Sequence, residues 1–89
     1  KTLLPMPLYE MGICLRHGWG VPPSYPASTY FFGLAARLGD VDAQVEYAYC
    51  LKKGIGIEKS KMEAAKWFRK AHDQGASIFG ESWIHKQKW

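Results

Sequence analysis

The chain has 89 residues, of which 47% are hydrophobic, 15% aromatic and 22% charged, and its formal net charge is +4. This length suits one small domain and excludes a multidomain enzyme, while the apolar and aromatic content excludes an intrinsically disordered chain. No apolar run approaches the ~20 residues of a membrane span, and the positive surplus within residues 43–89 is too dispersed for a nucleic-acid-binding stripe.

The sequence repeats itself at an offset of 36 residues, a period typical of helical solenoids. We expect a first unit over 7–42, a second over 43–78, a partial third unit or capping helix over 79–89, and the end of a preceding segment over 1–6. The predicted fold is all-α, an α-α superhelix of antiparallel helix hairpins with about two and a half repeats. Identical residues at this offset are Glu10/Glu46, Cys14/Cys50, Leu15/Leu51, Gly18/Gly54, Gly20/Gly56, Ser24/Ser60, Phe32/Phe68, Ala35/Ala71 and Gly39/Gly75.

A helix, a Gly-x-Gly loop, a second helix and a glycine turn follow one another in the first unit. Gly18 falls where the first helix must end, a position that favours glycine in a left-handed conformation, and Val21 is expected to pack under the turn. Ser24 is the predicted cap of the second helix, with Pro26 in its first turn. The apolar positions at helical spacing are Leu8, Met11, Gly12 and Leu15, then Phe31, Leu34, Ala35 and Leu38.

The second unit has the same order of elements. Ser60 and Glu63 have capping-box spacing at the start of the fourth helix, and we expect Trp67 to be interlocked between helices. The pattern begins again in a fifth helix with Gly80, Trp83 and Ile84. In the second unit, the positions at helical spacing on the inward-facing side are Gln44, Tyr47, Ala48 and Leu51, then Trp67, Phe68 and Ala71. The structural turns of both units are Gly18, Gly20, Gly39, Gly54, Gly56 and Gly75.

These motifs resemble the Sel-1-like repeat. The chain departs from that family's pattern at Pro22 and Pro23, and at Gly33 and Leu34, which replace the usual charged pair. Residues 8–21 and 80–89 are also similar to fungal cytosolic members involved in cell-cycle or kinase control. The resemblance rests on the spacing of Ala43, Tyr47-Ala48, Leu51, Gly54-Ile55-Gly56-Ile57, Lys61 to Ala65, Trp67-Phe68, Lys70-Ala71 and Gly75.

The resemblance implies a tetratricopeptide-like scaffold that presents a concave surface to other proteins, and so an adaptor in signalling or regulatory complexes rather than an enzyme. Its expected partners are proteins, an acidic surface or peptide among them, with no nucleic acid and no cofactor. Two alternatives stand beside it: a regulatory subunit that docks on an enzyme such as a kinase or synthase, and a structural spacer in a longer solenoid. Two cysteines are too few for a disulfide-stapled domain and favour a cytoplasmic location.

A second set of side chains lies beside the inward-facing ones on the first, third and fifth helices, and we expect it to line the concave face. It combines tyrosine with basic residues, a mixture that binding hot spots favour, although its aliphatic members can instead pack between repeats. The predicted set is Tyr9, Ile13, Arg16, His17, Val45, Tyr49, Lys52, Lys53, Glu81 and His85.

Competing chemistry has weaker support. Cys14 and His17 lie three residues apart, but a zinc site needs two further ligands, and two small buried thiols account for Cys14 and Cys50. The Gly-x-Gly loop follows a helix and lacks the third glycine of a dinucleotide site. The basic, aromatic tail over 83–89 has features of a membrane-surface or calmodulin-target segment, but its core register favours a cap on the fourth helix.

Overall fold

The computed structural model describes residues 7–78 and 81–85 and contains four α-helices in two successive hairpins. The helices are α1 (Leu8–His17), α2 (Tyr25–Arg37), α3 (Val41–Lys53) and α4 (Lys61–Asp73), and a short 3₁₀ helix, η1, spans Ser82–His85. α4 begins and ends 36 residues after α2, and α3 ends 36 residues after α1. The described residues form helices and turns only, so the all-α repeat architecture is confirmed.

Each hairpin turns through the same hydrogen-bonded loop. Gly18 (φ 75°) ends α1 and Gly54 (φ 73°) ends α3, both in the left-handed region. Their N–H groups donate to the carbonyl oxygens of Cys14 and Cys50, each at 2.8 Å. The two loops match bond for bond, because the glycines that permit this conformation recur at the repeat period.

Serine hydroxyls cap the second helix of each hairpin. Ser24 accepts a hydrogen bond from the Ala27 N–H and Ser60 accepts one from the Glu63 N–H, both at 3.2 Å. The reciprocal half of the predicted capping box is missing, since the Ser60 N–H donates to the Leu51 carbonyl at 2.9 Å. The Glu63 carboxylate instead faces Lys66 at 3.5 Å.

The core is built from two large aromatic side chains surrounded by small ones. Phe32 and Phe68, at equivalent positions of α2 and α4, are both 0% exposed. Gly12 lies against the Phe32 ring so closely that a Cβ there would be 2.7 Å from a ring carbon. Small side chains let helix axes approach to the shorter end of the usual 8–10 Å. Buried alanines fill the remaining interhelical positions: Ala35, Ala36, Ala43, Ala48, Ala64, Ala65 and Ala71.

Two of the predicted apolar positions are exposed to solvent. Leu38 is 78% exposed, because α2 ends at Arg37 and the helix face no longer fixes the direction of the next side chain. Val21 is also exposed, while its counterpart Ile57 packs against the core as expected. Pro23 lies beside Gly18 in the first loop, with its Cδ 3.0 Å from where a Cβ would be.

The start of the third unit differs from the predicted fifth α-helix. Residues 82–85 form a 3₁₀ turn, in which the Ile84 N–H donates to the Glu81 carbonyl at 3.1 Å. Ile84 is nevertheless buried and Trp83 packs edge-on to Phe68, so the predicted core register holds at these two positions. The expectations for residues 1–6, 79–80 and 86–89 lie outside the described residues.

Candidate protein-binding face

The predicted concave-face residues divide between packing positions and exposed ones. Ile13, Val45 and Tyr49 are half-buried against the hydrophobic core, and Tyr49 meets the Phe68 ring edge-on at 5.0 Å. These three therefore contribute to packing between the helices as well as to the surface. Lys53 and His17 are exposed.

Arg16 connects the first repeat to the second. Its Nη1 donates to Glu46 Oε1 at 2.8 Å, and its guanidinium lies 4.8 Å from the centre of the Phe32 ring. Its Nη2 lies 3.7 Å from the Cys50 sulfur. Burial opposes the charge, but the hydrogen bond and charge of Glu46 outweigh it and raise the pKa of Arg16, so the guanidinium stays charged.

Lys52 makes the same connection one repeat later. Its Nζ lies 3.0 and 3.2 Å from the two carboxylate oxygens of Glu81, which is only 5% exposed. The Trp83 indole N–H also donates to this carboxylate. Glu81 is therefore a buried link between units rather than a surface residue. It lies one position before Ser82, the residue that corresponds to Glu46 at the repeat offset of 36. A helical period contains no distance between helices, so neither the Arg16–Glu46 pair nor the Lys52–Glu81 pair could be predicted from the sequence pattern.

The ion pair of Lys52 can be tested by comparison with an exposed one. Replacing Lys52 by Met leaves the buried Glu81 carboxylate without its cation, and we expect this to lower the free energy of unfolding by about 1–3 kcal/mol. Replacing Lys66 by Met, which breaks the exposed pair with Glu63, should change it by about 0.5 kcal/mol or less. Urea titration of both variants measures the difference, and equal midpoints would contradict the structural role of Glu81.

Two grooves open beside α3. One has a volume of about 310 Å³ and lies at the loop end of α1 and α3. Its lining residues are Arg16, Tyr25, Glu46, Tyr49, Cys50, Lys53 and Ile55. We call this opening the loop-end groove, and it brings together Arg16, Tyr49 and Lys53 from the predicted set.

The second groove has a volume of about 360 Å³ and lies at the opposite end of α3, where Tyr9 and Val45 meet the turn over 74–77. Partial burial, and then the charges of Glu46, Asp42 and Asp40, raise the pKa of Tyr9. Its hydroxyl therefore remains a neutral hydrogen-bond donor well above neutral pH.

The two histidines of the predicted set lie apart from these grooves. His17 stacks on Trp19 with ring centroids 4.6 Å apart, and this exposed indole extends the surface at the end of α1. His85 is exposed and meets the edge of His72 at 5.8 Å. Tyr25 and Trp19 were not predicted as surface contacts. Their spacing gave no signal because each belongs to a loop or to the first turn of a helix.

The predicted structural turns all have positive φ, between 69° and 102°. Gly56 has an additional constraint, since a Cβ there would be 2.3 Å from the carbonyl oxygen of Tyr25. Glycine at that position is required by a close approach between loop and helix as well as by its own dihedral angle.

Within the described residues, no group of three or more His, Cys, Asp or Glu side chains is arranged to hold a metal ion. Cys14 and Cys50 are not joined by a disulfide bond. None of the helices formed by these residues is long and apolar enough to cross a membrane.

The matched loops, the shared capping bonds and the ion pairs between successive units define a helical-repeat solenoid. The Sel1 repeat family matches residues 8–40 and again 41–75, and the chain belongs to this family. Sel1 repeat proteins generally mediate protein–protein interactions and are typically non-enzymatic scaffolds.

Similar proteins are found in fungi and bacteria. The chain is 33% identical over its full length to the mitosis inhibitor nif1 of Schizosaccharomyces pombe, and 34% identical over 92% of its length to protein DSF2 of Saccharomyces cerevisiae. It spans only 13% and 11% of these relatives. A Sel1 repeat protein from Oxalobacter formigenes superposes with a TM-score of 0.79 at 34% identity, over 89% of this chain and 23% of that one. The protective antigen c5321 of uropathogenic Escherichia coli superposes with a TM-score of 0.74 at 33% identity, over 78% and 15%.

Proposed function

We propose that this chain is a protein-binding adaptor module that recognises its partner through the face formed by α1 and α3. The observation that carries the proposal is the loop-end groove, where Tyr49, the exposed Tyr25 and the exposed Lys53 surround one opening. Tyrosine offers a large contact area with a directed hydrogen bond, and the cation adds electrostatic selection of the partner. This combination favours an acidic protein surface or peptide.

The ion pairs on this face change which residues carry recognition. Arg16 and Lys52 are engaged with Glu46 and Glu81, so we assign them to holding the repeats in register. Lys53 forms no ion pair with the described residues and is the cation available to a partner. Units bounded at 7–42 and 43–78 would place this groove across the junction between two repeats.

The expected setting is a cytoplasmic signalling or regulatory complex. The name of the fission-yeast relative, a mitosis inhibitor, supports regulation, and two cysteines without a disulfide bond fit a reducing compartment. In the second candidate function the chain docks on an enzyme such as a kinase or synthase and changes its rate. A spacer in a longer solenoid is the third, and it predicts no partner for the groove.

A charge-reversal comparison tests the proposal. We expect a Tyr25→Ala, Lys53→Glu double variant, in which both changed side chains line the loop-end groove, to lose one or a few proteins by about tenfold or more when it is used as bait in quantitative affinity capture from fungal lysate. Lys70→Glu, at an exposed position of α4, is the control and should retain them. Circular dichroism must show unchanged helicity in both.

The captured proteins also separate the three functions. If a lost protein is an enzyme, its turnover with and without the purified chain distinguishes a regulatory subunit from an adaptor. Identical captures by the native chain and the double variant would favour the spacer and contradict recognition by this face.

A further inference from the structure

A third groove lies beside α2 and shares no lining residue with the loop-end groove. It has a volume of about 320 Å³, and α2 lines it from Pro26 through Tyr30 and Gly33 to Arg37. Tyr47 and Ile57 close its other side. We call this the α2 groove.

The second repeat shows what an ordinary repeat has in place of this groove. At an offset of 36 residues, Lys66 corresponds to Tyr30 and Arg69 to Gly33. The Arg69 guanidinium donates to the Ile84 carbonyl at 2.6 Å and so bridges to the next unit. The first repeat has no side chain at this position, and the Tyr47 ring and the Arg37 guanidinium lie against Gly33 instead.

Helix stability by itself would not favour two residues of α2, Gly33 and Tyr30. Gly33 lies in the interior of a helix, where glycine costs about 1 kcal/mol relative to alanine, and Tyr30 is 62% exposed where the second repeat has lysine. Gly33 is explained in part by Tyr47, whose ring carbon would be 3.0 Å from an added Cβ. The exposed Tyr30 meets the Phe31 ring edge-on at 5.7 Å, and its other side forms an apolar wall for the groove.

Arg37 gives the groove its charge. Its guanidinium lies 5.6 Å from the centre of the Tyr47 ring, and its Nη2 is 3.5 Å from the Tyr47 hydroxyl. It forms no ion pair with the residues that the structure describes, and it is the one charged side chain that lines the groove. A carboxylate is therefore the complementary group, and the Tyr47 hydroxyl can donate its own proton to the same ligand.

The dimensions select the form of the ligand. Residues 26–37 rise about 16 Å along the helix axis, which an extended chain covers with about five residues. A helix with its side chains is about 10–12 Å wide, whereas an extended chain turns alternate side chains toward one face and can place them against Tyr30 and Ile57. A nucleic acid would need several cations for its phosphates, and the groove offers one.

From this geometry we infer that the α2 groove is a second binding site, separate from the α1–α3 face. It takes a short extended peptide whose apolar side chains lie against Tyr30 and Ile57 and whose Asp or Glu side chain pairs with Arg37.

The test is a ¹⁵N NMR titration of the 89-residue chain with synthetic heptapeptides. One peptide is Gly-Leu-Pro-Ile-Pro-Asp-Gly, a second has Lys in place of Asp, and two more have the reversed order of residues because either chain direction fits. We expect at least one Asp peptide to shift the amide signals of residues 27–37 and 56–57, and the Lys peptides to bind more weakly by about tenfold.

Variants make the assignment specific. Arg37→Glu should weaken binding of the Asp peptide about tenfold and reverse the preference toward the Lys peptide. Tyr30→Lys, which installs the residue of the second repeat, should abolish the shifts, while Lys70→Glu should leave them unchanged. Both substituted side chains of α2 are exposed, and circular dichroism confirms that each variant keeps its helices.

Three results would overturn the site: no shift with any of the four peptides at about 1 mM, shifts confined to α1 and α3, or an Arg37→Glu variant that still prefers Asp. The second of these would support the proposed α1–α3 face while removing the α2 groove. The two proposals can therefore fail independently.

Discussion

Replacing Gly56 by Ala should destabilise the chain far more than replacing Gly20 by Ala, although the two glycines are equivalent in the repeat. Both have positive φ, 69° and 77°, and a side chain in this region costs roughly 1–2 kcal/mol. An added Cβ at Gly20 meets nothing within 4 Å, whereas at Gly56 it would lie 2.3 Å from the Tyr25 carbonyl oxygen and 2.8 Å from the Thr29 hydroxyl. Because backbone atoms cannot move aside without shifting α2, we expect about 1–3 kcal/mol more at Gly56.

Chemical denaturation of the two variants measures this difference directly. The Gly20→Ala variant is the matched control, since it carries the cost of the dihedral angle without the contact. A difference of less than about 0.5 kcal/mol between the two midpoints, converted with a common slope, would show that the loop of the second repeat does not pack against α2. Thr29 offers a second check, because its hydroxyl donates to the Ile55 carbonyl at 2.9 Å and Thr29→Val should weaken the same contact.

Periodicity in the sequence was sufficient to predict the four helices, the serine caps at Ser24 and Ser60 and the glycine ends at Gly18 and Gly54, but not the Asp40 cap of α3. The recurring glycines, serines and phenylalanines are local signals, each with a conformational or packing reason that does not depend on distant residues. The predicted order of elements and the family both agree with the structure. Periodicity failed at Leu38, where α2 has already ended, and at Ser82–His85, where a 3₁₀ turn replaces an α-helix.

Contacts between repeats could not be predicted in the same way. Arg16 and Lys52 have the spacing of surface residues, yet each forms an ion pair with the following unit. Such a pair depends on the distance between two helices, which a single helical period does not contain. The α2 groove was also invisible to periodicity. The one indication of this groove in the sequence was Gly33, which departs from the family pattern.

Phe68→Ala is expected to be among the most destabilising single substitutions in the described residues, together with Phe32→Ala at the equivalent position of the first repeat. The Phe68 side chain is 0% exposed and meets Tyr49 and Trp83 edge-on at 5.0 and 6.1 Å. Removing a buried phenylalanine costs about 3–5 kcal/mol, while a chain of 89 residues has roughly 4–13 kcal/mol of total stability. The variant should therefore lose most of its cooperative unfolding transition.

Trp67, the residue before Phe68, is the aromatic side chain that the sequence analysis predicted to be interlocked between helices, and comparing the two tests which of them carries the core. Trp67 is half-buried and touches Tyr47 edge-on at 5.7 Å, so Trp67→Ala should cost less than Phe68→Ala. Phe68→Leu retains most of the apolar volume and should cost about 1–2 kcal/mol. Thermal unfolding followed by circular dichroism ranks the three variants, with Phe68→Ala lowest, then Trp67→Ala, then Phe68→Leu. A Trp67→Ala variant that melts below Phe68→Ala would contradict this packing and mean that Trp67, rather than Phe68, is the main aromatic contact between α3 and α4.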